Sequence, residues 1–373
     1  MALDHVTCIV VGAGVVGLAI ARELAQSGRE VVIVEVNHRI GEETSSRSNE
    51  VIHAGFLYPP GSLKERMCLR GRDLLYAYCR AHDVGHRMVG KLVPALDEAE
   101  LATLERVYAR ALELGVPGVE MLDGDQARAL EPNLQCRGAI HSPISGIVDS
   151  HGLMISLLAD AEAHGAMLAL GTRVDAVHIE DSGRFRIEFE ADGVPGVMTS
   201  DILVNASGLG AQRLASRIDG YPAGLVPQVY FAKGSFFSYQ GKSPFSRLIM
   251  PVGDTLWRGG AYTLDLAGQG RFGPDLEWAE TRDYSLRPES VANFVANISR
   301  YWPGVTADRL QASYAGIRPR LTGPGEPVGD WGLQGPREHG IANLVNLFAV
   351  ETPGLTSCLA TAEHVVRECE LLP

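Results

Sequence analysis

The sequence SSRSN at positions 45–49 places five hydrogen-bonding residues in a row, and a lone histidine, His53, follows between apolar neighbours. Hydroxyl and amide side chains can donate hydrogen bonds to phosphate oxygens or polar ring atoms, and the arginine adds a positive charge. The histidine can take a proton near neutral pH. The same residues also allow a solvated loop with a helix cap, and a buried histidine satisfied by backbone groups.

A glycine motif precedes this loop. An apolar strand at 6–11 leads into Gly12, Gly14 and Gly17, a helix pattern follows, and a second strand ends at Glu35. This order is typical of dinucleotide binding, because the glycines allow a tight turn and let phosphates approach the helix N-terminus. A βαβ unit without ligand is the alternative. The motif predicts these cofactor-binding residues: Gly12, Ala13, Gly14, Val16, Gly17 and Glu35, the last as a ribose acceptor.

The segments that follow favour FAD over NAD. The polar loop at 37–55 cannot be a strand and suits a longer cofactor, whereas NAD enzymes usually continue with alternating strands and helices. The hairpin at 171–193 leads to a buried strand and a second small-residue turn at 206–208, and a Pro-Gly turn at 353–356 begins another helix. We therefore predict non-covalent FAD, contacted in addition by Thr44, Ser45, Ser46, Arg47, Ser48, Asn49, Ala206, Ser207, Gly208, Pro353, Gly354, Leu355 and Thr356.

Several motifs carry a resemblance to a known family. VVGAGVVG, TSSRSNEVIHAG, LVNASG, GIRPR and ETPGLT resemble the FAD-dependent D-amino-acid-oxidase-like superfamily over nearly the whole chain. Within it, NEVIHAGFLYPPGSLKERMCLRG and SGIVDSHGL are most similar to L-2-hydroxyglutarate dehydrogenases and oxidases. The resemblance implies that 45–49 serve the pyrophosphate and the ring and that His53 lies beside the isoalloxazine. It extends the expected cofactor contacts to His53, Val174, Gly316 and Arg318.

The order of segments predicts an α/β fold, with a Rossmann-type FAD-binding domain and an inserted α+β substrate domain built on an antiparallel sheet. The β-rich middle of the chain interrupts the dinucleotide-binding pattern, which argues for the insertion. We assign 1–85, 146–220 and 312–373 to the discontinuous FAD-binding domain. Residues 86–145 and 221–311 form the predicted substrate-binding domain.

Three residues are candidates for catalysis: His53, Arg318 and Tyr262. Oxidation of an alcohol needs a base for the hydroxyl proton, which His53 could provide. By the resemblance, Arg318 matches the arginine that binds the substrate carboxylate, and its planar fork suits bidentate pairing. Arg320, Arg258 and Lys233 are weaker candidates, since a structural or solvated role explains each of them better.

The segment at 247–266 departs from the 2-hydroxyglutarate enzymes, which typically carry a proline near position 253 and a histidine where this chain has Ala261. Alanine can neither take a proton nor bind a hydroxyl. Trp257, Arg258 and Tyr262 could reshape the pocket, or could simply pack on a sheet. Because an amine can lose a hydride without a protein base, the alanine at position 261 favours an amine substrate.

We therefore expect an FAD-dependent dehydrogenase or oxidase acting on a small carboxylated substrate, with a 2-hydroxy acid such as L-2-hydroxyglutarate first. An amino-acid or amine oxidase is the alternative, and a flavin-binding protein without turnover is a third. A flavin monooxygenase is disfavoured because ETPGLT occupies the place of its Gly-Asp turn. The electron acceptor stays open between oxygen, a quinone and an electron-transfer protein.

Composition limits the remaining classes. The net charge of −12 argues against non-specific nucleic-acid binding. The six cysteines show no CxxC and no metal-ligand spacing, so we expect scattered buried thiols and no metal site. The apolar N-terminal run is interrupted by glycines, which argues against a signal peptide or a transmembrane segment. We expect a cytoplasmic protein, with a peripheral membrane contact left open.

Overall fold

The computed structural model describes residues 4–253 and 258–368. Trp257, considered above for the pocket, and Cys369, one of the six cysteines, lie outside these ranges. Cys8, Cys68, Cys79 and Cys358 are buried free thiols, and Cys136 is half-buried. Within the described ranges, no helix combines the length and the apolar content that crossing a membrane requires.

The strands are, in chain order, β1 (Asp4–Val11), β2 (Val31–Val34), β3 (Val51–Ile52), β4 (His86–Arg87), β5 (Lys91–Ala95), β6 (Glu120–Asp123), β7 (Gly138–Ser142), β8 (Gly146–Val148), β9 (Met167–Ala169), β10 (Thr172–Ile179), β11 (Phe185–Ala191), β12 (Val194–Asn205), β13 (Tyr230–Tyr239), β14 (Leu248–Ile249), β15 (Tyr262–Leu264), β16 (Gly270–Phe272), β17 (Glu277–Ala279), β18 (Leu310–Arg320), β19 (Gly332–Gln334) and β20 (Leu344–Phe348).

The α-helices are α1 (Val15–Gln26), α2 (Leu63–Ala81), α3 (Glu98–Glu113), α4 (Gly124–Leu130), α5 (Ser150–Ala163), α6 (Ala211–Ala215), α7 (Val291–Ile298), α8 (Pro336–His339) and α9 (Gly354–Glu368). Short 3₁₀ turns lie at Gly208–Gly210, Ala223–Leu225, Pro288–Ser290 and Ala307–Arg309.

The first sheet has a parallel centre. β1 pairs in parallel with β2 and β12, β2 with β9, and β12 with β20. β10, β11 and β19 attach in antiparallel fashion. β2 is buried throughout and β1 over its C-terminal half, as expected for parallel strands covered on both faces. Helices α1, α5 and α9 pack together over one face, and a second apolar cluster covers the other.

The second sheet is mostly antiparallel, with the order β17-β13-β16-β15-β14-β5-β7-β6 and β18 beside β13. Its one parallel pair within the described ranges joins β14 to β5. An aromatic cluster that includes Phe237, Phe272 and Trp302 packs on one face with α7, and α3 packs against β5 and β7. The predicted fold class, a Rossmann-type α/β unit beside an antiparallel α+β unit, is confirmed.

A small third sheet, β3-β8-β4, lies where the chain passes between the two larger sheets. β18 belongs to the second sheet along its whole length, because it pairs with β13 from Tyr230↔Arg320 to Tyr239↔Leu310. Residues 312–320, which the sequence assigned to the FAD-binding domain, therefore lie on the second sheet. The domain boundaries stay a prediction.

Candidate active site

One large cavity, of about 830 Å³, extends from the carboxyl end of β1 to the second sheet. This volume lies near the upper end of the range usual for ligand sites. Both sheets contribute to its lining, with Gly12 and Glu35 at one end and Phe236, Arg318 and Met250 at the other. A ligand that fills it therefore contacts both halves of the fold.

The glycine motif forms the turn between β1 and α1. Gly12 has φ +109°, and a Cβ atom there would lie 2.5 Å from the carbonyl oxygen of Ala206. A Cβ on Gly17 would lie 2.0 Å from the carbonyl oxygen of Gly12. The turn thus has no room for larger residues at these two positions. The first residues of α1 line the cavity, so an anionic group inside it would lie against the N-terminus of this helix.

Glu35 lies at the end of β2, beside this turn. Its Oε2 accepts a hydrogen bond from the Ala13 amide at 2.8 Å, and its Oε1 accepts from the backbone and side-chain nitrogens of Asn37 at 2.9 and 2.8 Å. These bonds fix the carboxylate at the edge of the cavity, where it can still accept a hydrogen bond from a ribose hydroxyl. Ala13 itself does not line the cavity and contributes through this backbone contact.

The polar loop 41–49 folds over the N-terminus of α1. Ser45 Oγ accepts a hydrogen bond from the Val15 amide at 3.0 Å, and the hydroxyl of Ser46 donates to the Gly41 carbonyl. Ser46 is exposed and does not line the cavity, unlike Ser45. Arg47 donates to the Glu42 and Ala315 carbonyls, both at 3.2 Å, so its charge is held at the junction of the two sheets.

The rest of the predicted cofactor contacts also line the cavity: Gly14, Val16, Thr44, Ser48, Asn49, Val174, Ala206, Ser207, Gly208, Gly316, Pro353, Gly354, Leu355 and Thr356. The structure thus brings together segments that lie more than 300 residues apart in the chain, although their binding of the cofactor stays a prediction.

His53 follows β3 and is 7% exposed. Its amide donates to Thr356 Oγ1 at 3.1 Å, and its carbonyl accepts from Cys68 Sγ at 3.5 Å. Nδ1 lies 3.5 Å from Lys91 Nζ, while the buried Nε2 has no hydrogen-bond partner among the described residues. Burial, and then the charge of Lys91, hold the pKa of His53 well below its usual range. The imidazole is therefore neutral at pH 7, with a proton on one ring nitrogen and a lone pair on the other.

Arg318 lies on β18, on the strand face that also carries Gly316 and Arg320, and all three line the cavity. Its guanidinium donates to the Asp275 carbonyl at 3.0 Å. A Cβ on Gly234, on the neighbouring strand, would lie 2.9 Å from the same guanidinium, so this glycine leaves the room that Arg318 occupies. Burial lowers the pKa of Arg318 to about 10, and the side chain remains charged at pH 7.

Lys64 and Glu351 form a buried ion pair at the same end of the cavity, with Nζ 2.5 Å from Oε1. Lys64 also donates to the Gly329 carbonyl at 2.9 Å. Both residues stand inside quoted motifs, YPPGSLK and ETPGLT, yet nothing in those motifs indicated that they meet. Tyr58 lines the cavity as well, with its ring 6.0 Å from that of His53 in an edge-on arrangement.

Tyr262 does not reach the cavity. Its side chain is fully buried among aromatic residues of the second sheet, and its hydroxyl donates to the Phe245 carbonyl at 3.2 Å. The preceding residue, Ala261, does line the cavity. Adjacent residues of an extended chain point to opposite faces, which agrees with the position of Tyr262 on the side away from the cavity. We therefore remove Tyr262 from the candidate catalytic residues.

The weaker arginine and lysine candidates differ in position. Lys233 lies within the second sheet, where its Nζ donates to Asp283 Oδ2 at 2.9 Å and to Ser285 Oγ at 3.3 Å, and it does not line the cavity. Arg258 is exposed and forms a bridge with Asp275 through the backbone. Arg320, in contrast, lines the cavity and is buried.

These features fit the predicted FAD. The turn at Gly12 and Gly17 leaves the close approach that a pyrophosphate needs, and Glu35 is placed for a ribose. At the other end, the cavity-lining residue His53 has a buried ring nitrogen without a hydrogen-bond partner among the described residues, and a ligand atom can supply that partner. One elongated ligand or two adjacent ligands can occupy this space.

Comparison with known proteins agrees with this geometry. Residues 7–368 match the model of the FAD-dependent oxidoreductase family DAO. The mitochondrial L-2-hydroxyglutarate dehydrogenase of Arabidopsis thaliana is 37% identical over 411 residues, which cover 99% of this chain and 84% of that protein.

Two solved structures share the fold. The dithionite-reduced L-α-glycerophosphate oxidase of Mycoplasma pneumoniae with FAD bound has a TM-score of 0.88 at 20% identity, covering 99% of this chain and 95% of that one. The glycine oxidase of Geobacillus kaustophilus has a TM-score of 0.82 at 24% identity, covering 99% and 96%. At these identities the two structures establish the common fold alone.

Proposed function

Because the chain belongs to the FAD-dependent oxidoreductase family DAO, we propose that it oxidises a small 2-hydroxy acid, with L-2-hydroxyglutarate as the expected substrate. The similarity to the Arabidopsis thaliana enzyme over nearly the whole chain supports this choice. The observation that carries the proposal is that the glycine turn, His53 and Arg318 line one cavity, and that His53 Nε2 has no hydrogen-bond partner among the described residues.

The charges at the substrate end favour an acid with more than one carboxylate. Lys64, Arg318 and Arg320 line this part of the cavity, and among the described residues there one carboxylate, that of Glu351, lies against them. Arg318 lies close enough to Glu351 and Arg320 that both affect its pKa. The carboxylate of Asp275 also acts on Arg318, but it accepts from the Ser235 amide at 2.6 Å outside the lining. Lining cations thus exceed lining anions, which suits a dianion.

Each residue has a distinct task in the proposed reaction. FAD, when bound, supplies the hydride acceptor for the substrate carbon. Arg318 binds the carboxylate next to that carbon and so fixes the orientation of the substrate. His53 Nε2 takes the proton of the hydroxyl group, for which its neutral state is required. Phe236 and Met250 supply apolar walls that exclude water from the reacting atoms.

A second candidate is oxidation of an amine or amino acid. Ala261 is buried and lines the cavity, so this position offers no proton acceptor. A neutral amine can lose a hydride without a protein base, which makes such a substrate compatible with the same site. His53 distinguishes the two candidates, because only oxidation of a hydroxy acid needs a base that accepts the substrate's hydroxyl proton.

Anaerobic spectroscopy of the purified holoenzyme tests the proposal. We expect the flavin absorbance near 450 nm to bleach with L-2-hydroxyglutarate, to bleach less with 2-hydroxy acids that carry one carboxylate, and to persist with glycine and other amino acids. Bleaching by amino acids alone would replace the proposal with the second candidate. A flavin that none of these compounds reduces would refute both.

A further inference from the structure

Lys91 is a buried lysine without a carboxylate partner in the part of the chain that the structure describes. It begins β5, whose five residues are all buried, and its side chain is 1% exposed. The hydrogen-bonding contact found for its Nζ in the described ranges is the one to His53 Nδ1 at 3.5 Å. A buried ammonium that lacks a counter-ion is costly, so its presence calls for a reason other than stability.

The other buried lysines show the usual solution. Lys64 Nζ lies 2.5 Å from Glu351, and Lys233 Nζ lies 2.9 Å from Asp283. Each of these ammonium groups thus has a carboxylate against it. Lys91 has an imidazole instead, and that imidazole is the candidate base of the reaction.

Two protonation arrangements are compatible with this contact. If Lys91 is an ammonium, it donates to Nδ1, and His53 then carries its own proton on Nε2, the ring nitrogen that has no hydrogen-bond partner among the described residues. If Lys91 is a neutral amine, its Nζ accepts the Nδ1 proton in a hydrogen bond, and Nε2 keeps its lone pair. Only the second arrangement can accept a proton from a substrate hydroxyl group.

We propose that Lys91 is a positioning residue: its Nζ selects the tautomer of His53 and receives the Nδ1 proton when Nε2 takes the proton of the substrate. In this step the substrate O–H bond breaks as Nε2–H forms, and Nδ1–H breaks as Nζ–H forms. His53 is neutral before and after, and the proton remains on Lys91 until product leaves and it returns through His53 to water. The identity of the proton donor rests on the proposed function.

The groups around this pair leave Lys91 as the one that changes charge in the accessible pH range. Burial raises the pKa of the Cys68 thiol to about 12 and that of Tyr58 well above its usual range, so both are neutral. Arg72, which acts on Cys68, donates to the Ala54 carbonyl and to Asp73. Burial lowers the pKa of Lys91 itself to about 8. Glu351, beyond Tyr58, is paired with Lys64.

Imidazole ¹⁵N NMR of the substrate-free holoenzyme tests the tautomer directly. We expect His53 to carry its proton on Nε2 at pH 6.5 and on Nδ1 at pH 9.5, with a midpoint near pH 8. Its signals are identified by their loss in His53→Gln. In Lys91→Met the tautomer should no longer depend on pH, whereas Lys233→Met, a matched buried lysine, should keep the wild-type transition. A wild-type His53 that holds one tautomer from pH 6.5 to 9.5 would overturn the proposal.

Kinetics give a second readout. The kcat/KM of the wild type should rise through about pH 8, and Lys91→Met should lose this dependence and at least tenfold of kcat at pH 9. Lys233→Met should retain both. If L-2-hydroxyglutarate does not reduce the flavin but the tautomer of His53 still changes with pH, the proposed substrate is refuted. The coupling of Lys91 to His53 is then still supported. A working assay with a Lys91→Met profile like that of the wild type would refute the role of Lys91 alone.

Discussion

Replacing Lys91 by methionine should stabilise the protein at neutral pH, because methionine fills a similar volume without a buried charge. Burial lowers the pKa of Lys91 from 10.5 to about 8, and such a difference corresponds to about 3 kcal/mol of unfavourable free energy in the folded state. Loss of the 3.5 Å contact to His53 costs about 1 kcal/mol and offsets part of this gain in stability. We therefore expect a net gain of about 2 kcal/mol at pH 7.

The gain should depend on pH in a defined direction. Between about pH 8 and 10.5 the unfolded wild type binds more protons at Lys91 than the folded one does. The stability of the wild type therefore rises with pH across this window, and the cost is fully present below it. Lys91→Met has no such dependence, so its advantage should be largest at pH 7 and should shrink steadily above pH 8.

Thermal denaturation of the FAD-saturated variants at pH 7, 8, 9 and 9.5 measures this difference. For 373 residues, an entropy of unfolding near 2 cal/mol/K per residue converts about 2 kcal/mol into a rise of about 2–3 °C in Tm. Lys233→Met serves as the control and should not give this gain, because Lys233, unlike Lys91, has a carboxylate partner in Asp283. A Tm difference between wild type and Lys91→Met that does not change with pH would refute the reasoning.

Three further outcomes follow from the site. Gly12→Ala should purify largely without FAD, since its Cβ would lie 2.5 Å from the carbonyl of Ala206, whereas Gly224→Ala, with open space around the new Cβ, should keep the normal ratio of absorbance at 450 to 280 nm. Arg318→Lys should raise KM for the hydroxy acid by about 30-fold through loss of the planar fork, and an unchanged KM in steady-state assays would remove Arg318 from carboxylate binding. His53→Gln should lower the anaerobic rate of flavin reduction by about 10²-fold or more, and a rate within threefold of wild type would exclude His53 as the base.

The cofactor end of the site could be predicted from sequence because its requirements are local. Gly12 has a positive φ, a Cβ on Gly17 would meet the Gly12 carbonyl, and the order of strand, helix and acid around them is contiguous in the chain. The fold class followed from the same order of elements. Arg318 was found through resemblance, and the period of two along β18 then places Gly316 and Arg320 on its face.

The substrate end could not be predicted in the same way, because its contacts join distant segments. Lys64 meets Glu351 from a position 287 residues away in the chain. Lys91 begins an apolar strand, where a lysine usually reaches solvent, but in the structure β5 pairs with both β7 and β14 and the lysine side chain is buried. We expected Tyr262 in the pocket, but Ala261 lines the cavity and the side chain of Tyr262 packs into the aromatic core.

The absence of a carboxylate beside His53 in the described structure has a chemical consequence. A carboxylate on Nδ1 would stabilise the imidazolium, so that the proton could rest on the histidine. Burial and the neighbouring Lys91 do the opposite, because both hold the pKa of His53 down. An imidazolium is thus a poor resting place for the substrate proton, whereas Lys91, with a pKa near 8, can retain it. The same burial that makes Lys91 costly to fold therefore makes it the better proton acceptor behind His53.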